Sequence, residues 1–169
     1  NYSGYQAKPK WDEYKAAVDA MAEIGSERGC GRAMWEYQTE TLNAYGTPMA
    51  LMLLPYWTKG CIGSMEGLYF ESSATTPFHF LNQSELSQAP SRAQRDLPYS
   101  SLDVKRGVEH LQLLGVRYYM ALSPAAKSGA DENPDLSYLR DSGPWSIYEV
   151  AGSELVESLD YEPAVVEGL

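Results

Sequence analysis

The sequence predicts an α/β fold: a mixed, partly parallel sheet with helices packed on it as an α/β sandwich. Three observations predict it. Apolar residues recur at helical spacing in well-separated segments. Short runs rich in β-branched and aromatic residues, bounded by glycine and proline, lie between and after them. The resulting order is helix, strand, helix, strand, helix, strand, strand, and a strand–helix–strand succession favours parallel pairing with helices covering the sheet.

The first helix is expected from Pro9 to Ile24. Trp11, Tyr14, Val18, Met21 and Ile24 form one stripe, Asp12, Glu13, Lys15 and Asp19 face away, and Gly25 and Gly29 supply a stop. Arg32 to Tyr37 reads as a strand from its aromatic end. Thr47-Pro48 opens a short helix with Thr47 as N-cap, and Pro55 closes it. Gly67 to Glu71 is the second expected strand, and Thr76-Pro77 starts another short helix through Phe78, Phe80 and Leu81.

Asn82 to Tyr99 is polar and without a clear period, with Pro90 and Pro98, and reads as a long loop. Ser100 followed by Asp103 resembles a capping signal. The helix after it carries Val104, Val108, Leu111 and Leu114 on one face and ends at Gly115. Val116 to Leu122 is the strongest strand. Residues 124–143, with Pro124, Gly129, Pro134 and Gly143, read as a second polar loop; Trp145 to Val150 is a strand, and an extended piece follows near Val156 to Val166.

A length of 169 residues with 44% hydrophobic and 21% charged residues fits one globular domain, residues 1–169, around one core. Twenty-three acidic residues against 13 basic ones give a net charge of −10, which repels phosphate backbones and excludes nucleic acid as a partner. Only Lys8/Lys10 and Lys105/Arg106 bring basic residues close together, which also weighs against an anionic membrane surface. No stretch approaches the roughly 20 apolar residues needed to span a bilayer. The longest apolar run is Met49 to Leu54. With no initiator Met and no signal pattern at Asn1, the chain reads as a soluble domain excised from a longer protein.

Motifs for covalent chemistry are absent. Gly63-Ser64-Met65-Glu66-Gly67 is no nucleophile elbow, and Gly29-Cys30-Gly31 lacks the third glycine of a dinucleotide loop. His79 and His110 are the only histidines, too few to build a metal site with conventional spacing, so neither metal nor cofactor is expected. Glu36, Glu66 and Glu71 fall in or beside expected strands, where carboxylates can be aimed at a cleft for glycosidic acid–base work. Their ordinary fate is solvation or salt bridging. Thirteen tyrosines against three phenylalanines, with Trp35, Tyr37, Trp57 and Tyr69 near the cysteines, suit sugar stacking, a docking interface or plain core packing. Cys30 and Cys61 belong to no C-x-x-C unit, and the residues alone leave a bridge and two buried thiols equally open.

Gly29-Cys30-Gly31-Arg32-Ala33-Met34-Trp35-Glu36-Tyr37 and Gly63-Ser64-Met65-Glu66-Gly67-Leu68-Tyr69-Phe70-Glu71 carry a resemblance, as do Leu113 to Tyr119 and Trp145 to Val150. Together they resemble the soluble C-terminal part of actinobacterial multipass membrane proteins labelled 6-pyruvoyl tetrahydropterin synthase-related, which are similar to C-type glycosyltransferases using polyprenyl-phosphate sugars. Two isolated histidines do not match a pterin-synthase zinc site, and the acidic catalytic residues of such transferases belong to membrane loops. The resemblance therefore implies an extracytoplasmic accessory domain attached to a membrane-embedded part of the same polypeptide. It also implies an oxidising location and a Cys30–Cys61 disulfide.

On this reading the domain helps bind a cell-envelope glycan or a polyprenyl-phosphate sugar without a complete active site. Arg32, Trp35, Glu36, Tyr37, Trp57, Glu66, Tyr69 and Glu71 are the candidate ligand-binding residues: the arginine for an anionic group, the aromatics for sugar rings, the glutamates for hydroxyls. The alternatives are a protein-interaction module, marked by an aromatic patch without a polar pocket, and a stand-alone hydrolase, marked by closely facing carboxylates in a cleft.

Overall fold

The computed structural model, which describes residues 4–65, 76–154 and 156, has the expected α/β architecture. Its first half holds helix α1 (Trp11–Arg28), strand β1 (Gly31–Trp35), the single-turn helices α2 (Thr39–Leu42) and α3 (Leu54–Trp57), and strand β2 (Ile62–Ser64). Its second half holds α4 (Thr76–Leu86), α5 (Val104–Leu113), β3 (Val116–Ala121), α6 (Pro124–Asp131), β4 (Leu136–Ser142) and β5 (Trp145–Val150). The strands form one sheet in the order β2-β1-β3-β5-β4. β1 runs parallel to both β2 and β3, while β5 is antiparallel to β3 and β4.

Alternation along the strands divides the core into two layers. Ala33, Trp35, Tyr118, Met120, Trp145 and Ile147 pack with Tyr14, Val18, Met21 and Ile24 of α1 and with Leu42, Leu51 and Leu54. Met34, Tyr119, Ala121, Tyr148 and Val150 pack on the other side with Val104, Val108 and Leu111 of α5 and Ala126 and Ala130 of α6. One irregularity adjusts the pattern. Arg32 pairs with Val116 and Ala33 with Tyr118, so Arg117 is an extra residue in β3. This bulge turns Val116 into the same layer as Tyr119.

The tyrosines join the layers to the loops. Among the described residues five are buried: Tyr14, Tyr45, Tyr118, Tyr119 and Tyr148. Their hydroxyls donate to Ala50 O at 2.8 Å, the Glu13 carboxylate, Gly29 O at 2.6 Å, Leu86 O at 2.7 Å and Asp131 Oδ1 at 2.7 Å, in that order. Each ring fills core volume while its hydroxyl satisfies a backbone carbonyl or a carboxylate, a task phenylalanine cannot do.

The edges of the sheet are treated differently. β2 is three residues long and is tied to β1 by the Cys30–Cys61 disulfide, which closes a separation of 31 residues just before both strands. A Cβ at Gly25 would lie 2.7 Å from Cys61 Sγ, so glycine lets the bridge pack against α1. β4, the other edge, is bulged between Tyr138 and Arg140, and Arg140 reaches α1 through Glu23 at 2.7 Å.

Several expectations are corrected. α1 runs through Gly25 to Arg28, because that glycine serves packing and Gly29, at φ +112, makes the stop. Pro55 opens α3 in its first turn instead of ending the preceding turn, since the ring of a first-turn proline displaces no helical hydrogen bond. Asp103, not Ser100, caps α5, accepting from Arg106 N at 3.1 Å. The polar stretches read as loops contain the second half of α4, all of α6 and β4. The strand expected at Gly67 to Glu71 lies outside the described residues, as does the extended piece near Val156 to Val166 except exposed Val156.

α4 and α5 touch at Gly107, where a Cβ would lie 2.6 Å from both Cγ and Cδ2 of fully buried Leu86 and 3.3 Å from Glu85 Cβ. Gly107→Ala is therefore expected to lower the unfolding free energy by about 1 kcal/mol net, overpacking outweighing the gain in helix propensity. Urea denaturation checks this, and an unchanged or higher midpoint contradicts it.

Candidate functional site

The chain leaves β1 on the α1 side of the sheet to reach β2, and leaves β3 on the opposite side to enter α6. The carboxyl ends of these adjacent parallel strands therefore form a topological switch point, the crevice where open α/β sheets generally bind ligands. Glu36 follows β1 there and is fully buried. Its Oε2 accepts from Leu122 N at 2.7 Å and Ser123 N at 2.6 Å, and its Oε1 from Gln88 N at 3.1 Å. Leu122 and Ser123 are the residues between β3 and α6, and the Ser123 side chain caps that helix through Ala126 N at 3.2 Å. Tyr37 N then donates to Ser87 Oγ at 2.9 Å. The crevice is thus occupied by the chain's own carboxylate, held by three charge-assisted bonds at the positive end of a helix.

The other expected site residues do not converge on this point. Trp35 is fully buried in the α1-side layer, where no sugar ring can reach it. Arg32, two residues nearer the start of β1 than Met34 and on the same face, donates from Nη2 to the carbonyl of Leu114 and so places a cation at the end of α5. Tyr37 is half-buried and its hydroxyl accepts from Thr39 Oγ1 at 3.2 Å. Trp57 is half-buried against Trp11, with ring centroids 5.7 Å apart, and its Nε1 donates to Tyr14 OH at 3.1 Å. Glu66, Tyr69 and Glu71 lie outside the described residues.

A second polar cluster had no counterpart in the sequence reading. Glu85 is 2% exposed on α4. Its carboxylate accepts from Arg106 Nε at 3.1 Å and His110 Nδ1 at 2.6 Å, both from α5. Asn82 Nδ2 lies 3.5 Å from the same carboxylate and 2.9 Å from Gly107 O. Beside it an open hollow of about 230 Å³ is lined by Phe78, Leu81, His110, Leu113 and Leu114. No residue pattern announces this arrangement, because Glu85 sits in a stretch whose polar residues conceal a helix.

Among the described residues no group of three or more His, Cys, Asp or Glu is placed to hold a metal ion, and no helix is long and apolar enough to cross a membrane. Compared with protein-family models, curated proteins and solved structures, the chain matches none.

Two consequences are measurable. Glu36→Gln replaces one acceptor oxygen by a donor facing backbone N–H groups, and is expected to cost about 1–3 kcal/mol in chemical denaturation. Buried His79 has its pKa pushed down from 6.5 to about 4 by desolvation. The unfolded chain takes up this proton first, so the stability that neutral His79 contributes is complete above the unfolded value and falls as pH drops toward 4. Between about pH 7.5 and 5 the loss is roughly 2 kcal/mol. Denaturation midpoints of the native chain and His79→Leu across this window should diverge by that amount; parallel curves contradict it.

Proposed function

We propose that this chain is an extracytoplasmic accessory domain of a membrane glycosyltransferase-like protein of the cell envelope, acting by binding and not by bond-making of its own. The observation that carries this reading is the crevice at Glu36. Where an α/β enzyme ordinarily holds its substrate, this chain spends its carboxylate on three of its own backbone N–H groups. The Cys30–Cys61 bridge supports an oxidising location, and Cys30 is solvent-exposed. The resemblance at Gly29 to Tyr37, Leu113 to Tyr119 and Trp145 to Val150 supports the connection to a membrane-embedded partner segment, a cell-envelope glycan or a polyprenyl-phosphate sugar.

A second reading, a module that recruits a protein partner, is favoured by one observation. Phe78 is 59% and Leu113 83% exposed beside the α4–α5 hollow, an apolar rim that the described chain does not cover. Stand-alone carboxylate catalysis draws no support from Glu36, whose two oxygens are both engaged.

The compartment half of the proposal is tested by mass spectrometry of the native chain after alkylation. Both cysteines should resist modification until reduced, and Cys61→Ser should lower stability by roughly 3–4 kcal/mol. Ready alkylation of both thiols in protein purified from its native envelope contradicts an oxidising location. The binding half is tested by titrating the chain with envelope oligosaccharides and with farnesyl phosphate. Saturable binding of either supports the glycan or lipid-linked-sugar role, and binding of neither favours the protein-partner reading.

A further inference from the structure

We infer that the hollow between α4 and α5 is a binding site for a small phenol or comparable hydroxyl-bearing apolar molecule, anchored by a hydrogen bond to His110 Nε2. Its walls come from Phe78, Leu81, Leu113 and Leu114, so an occupant must be apolar over most of its surface. A volume of about 230 Å³ exceeds the roughly 150 Å³ that accepts benzene in a protein interior, which sets the scale at one substituted ring.

Among the described residues that line the hollow, His110 has the one polar side chain. Its Nδ1–H donates to Glu85 at 2.6 Å, and Glu85 is itself buried and held by Arg106. In the neutral ring, a carboxylate that accepts from Nδ1–H sets both orientation and tautomer and leaves Nε2 as an acceptor. Nε2 has no hydrogen-bond partner among the described residues. The complementary ligand therefore brings a donor. Because Arg106 offsets the charge of Glu85, the site does not select for a cation. A neutral hydroxyl on an apolar body fits both requirements.

The two histidines make the test direct, since His110→Gln assigns the ring resonances. At about pH 8, 4-methylphenol should shift the His110 ring signals saturably, with a Kd on the order of 1 mM for so small a ligand. Its methyl ether, which has no donor, should bind about tenfold more weakly. Leu81→Trp should fill the hollow and abolish binding. Phe78→Ser, at an exposed position that leaves the core intact, should weaken binding several-fold even if the larger substitution prevents folding. Absence of a saturable shift up to about 10 mM, equal affinity for the ether, or binding that survives Phe78→Ser unchanged would each overturn the proposal.

Discussion

The carboxylate of Glu36 joins three parts of the chain at one point: the end of β1, the turn from β3 into α6, and the residues after α4. A fully buried charge is costly unless every lone pair finds a donor. Here backbone N–H groups supply the donors, and two of them would be left unsatisfied in the turn leading into α6 if the carboxylate were absent. The fold's most favourable ligand position and its most demanding polar contact are the same place. Burial of Glu36 also dictates that Trp35, its neighbour along the strand, points into the opposite layer.

The amino ends of the same strands are held by different chemistry. Cys30 and Cys61 join β1 to β2 covalently. Arg117, the extra residue of the β3 bulge, donates to Glu149 at 2.9 Å and 3.1 Å, and Arg28 at the end of α1 reaches the same carboxylate at 3.3 Å. The hydroxyl of Tyr118 binds the carbonyl of Gly29 between them. Half-exposed ion pairs of this kind contribute little individually. Their value is geometric, for they tie β3 and α1 to β5, where the disulfide ties only β1 to β2.

Much of this architecture was legible in the sequence. The stripes of α1 and α5 and the apolar runs of β1, β3 and β5 were readable because each buries one regular face. α4 was cut short because Asn82, Gln83, Ser84 and Glu85 are buried by polar contacts to residues 91–110, which erases the apolar period. β4 was missed because an edge strand buries little, and α6 because eight residues with a proline and a glycine look like a turn. Glu36 was recognisable as a carboxylate aimed into a cleft, but its role was not. Its partners are backbone groups 52, 86 and 87 residues away, and backbone N–H leaves no signature in a sequence.

The bulged edge at β4 has a consequence for how this molecule meets others. An exposed strand invites a foreign strand to extend the sheet, and a regular ladder of free N–H and C=O groups is the template. The break between Tyr138 and Arg140 spoils that ladder, and the bond from Arg140 to Glu23 draws its side chain back toward α1. Strand addition at this margin is thereby discouraged. Such an edge guards against polymerisation through β4, and among the described residues Phe78 and Leu113 leave an apolar rim exposed on α4 and α5.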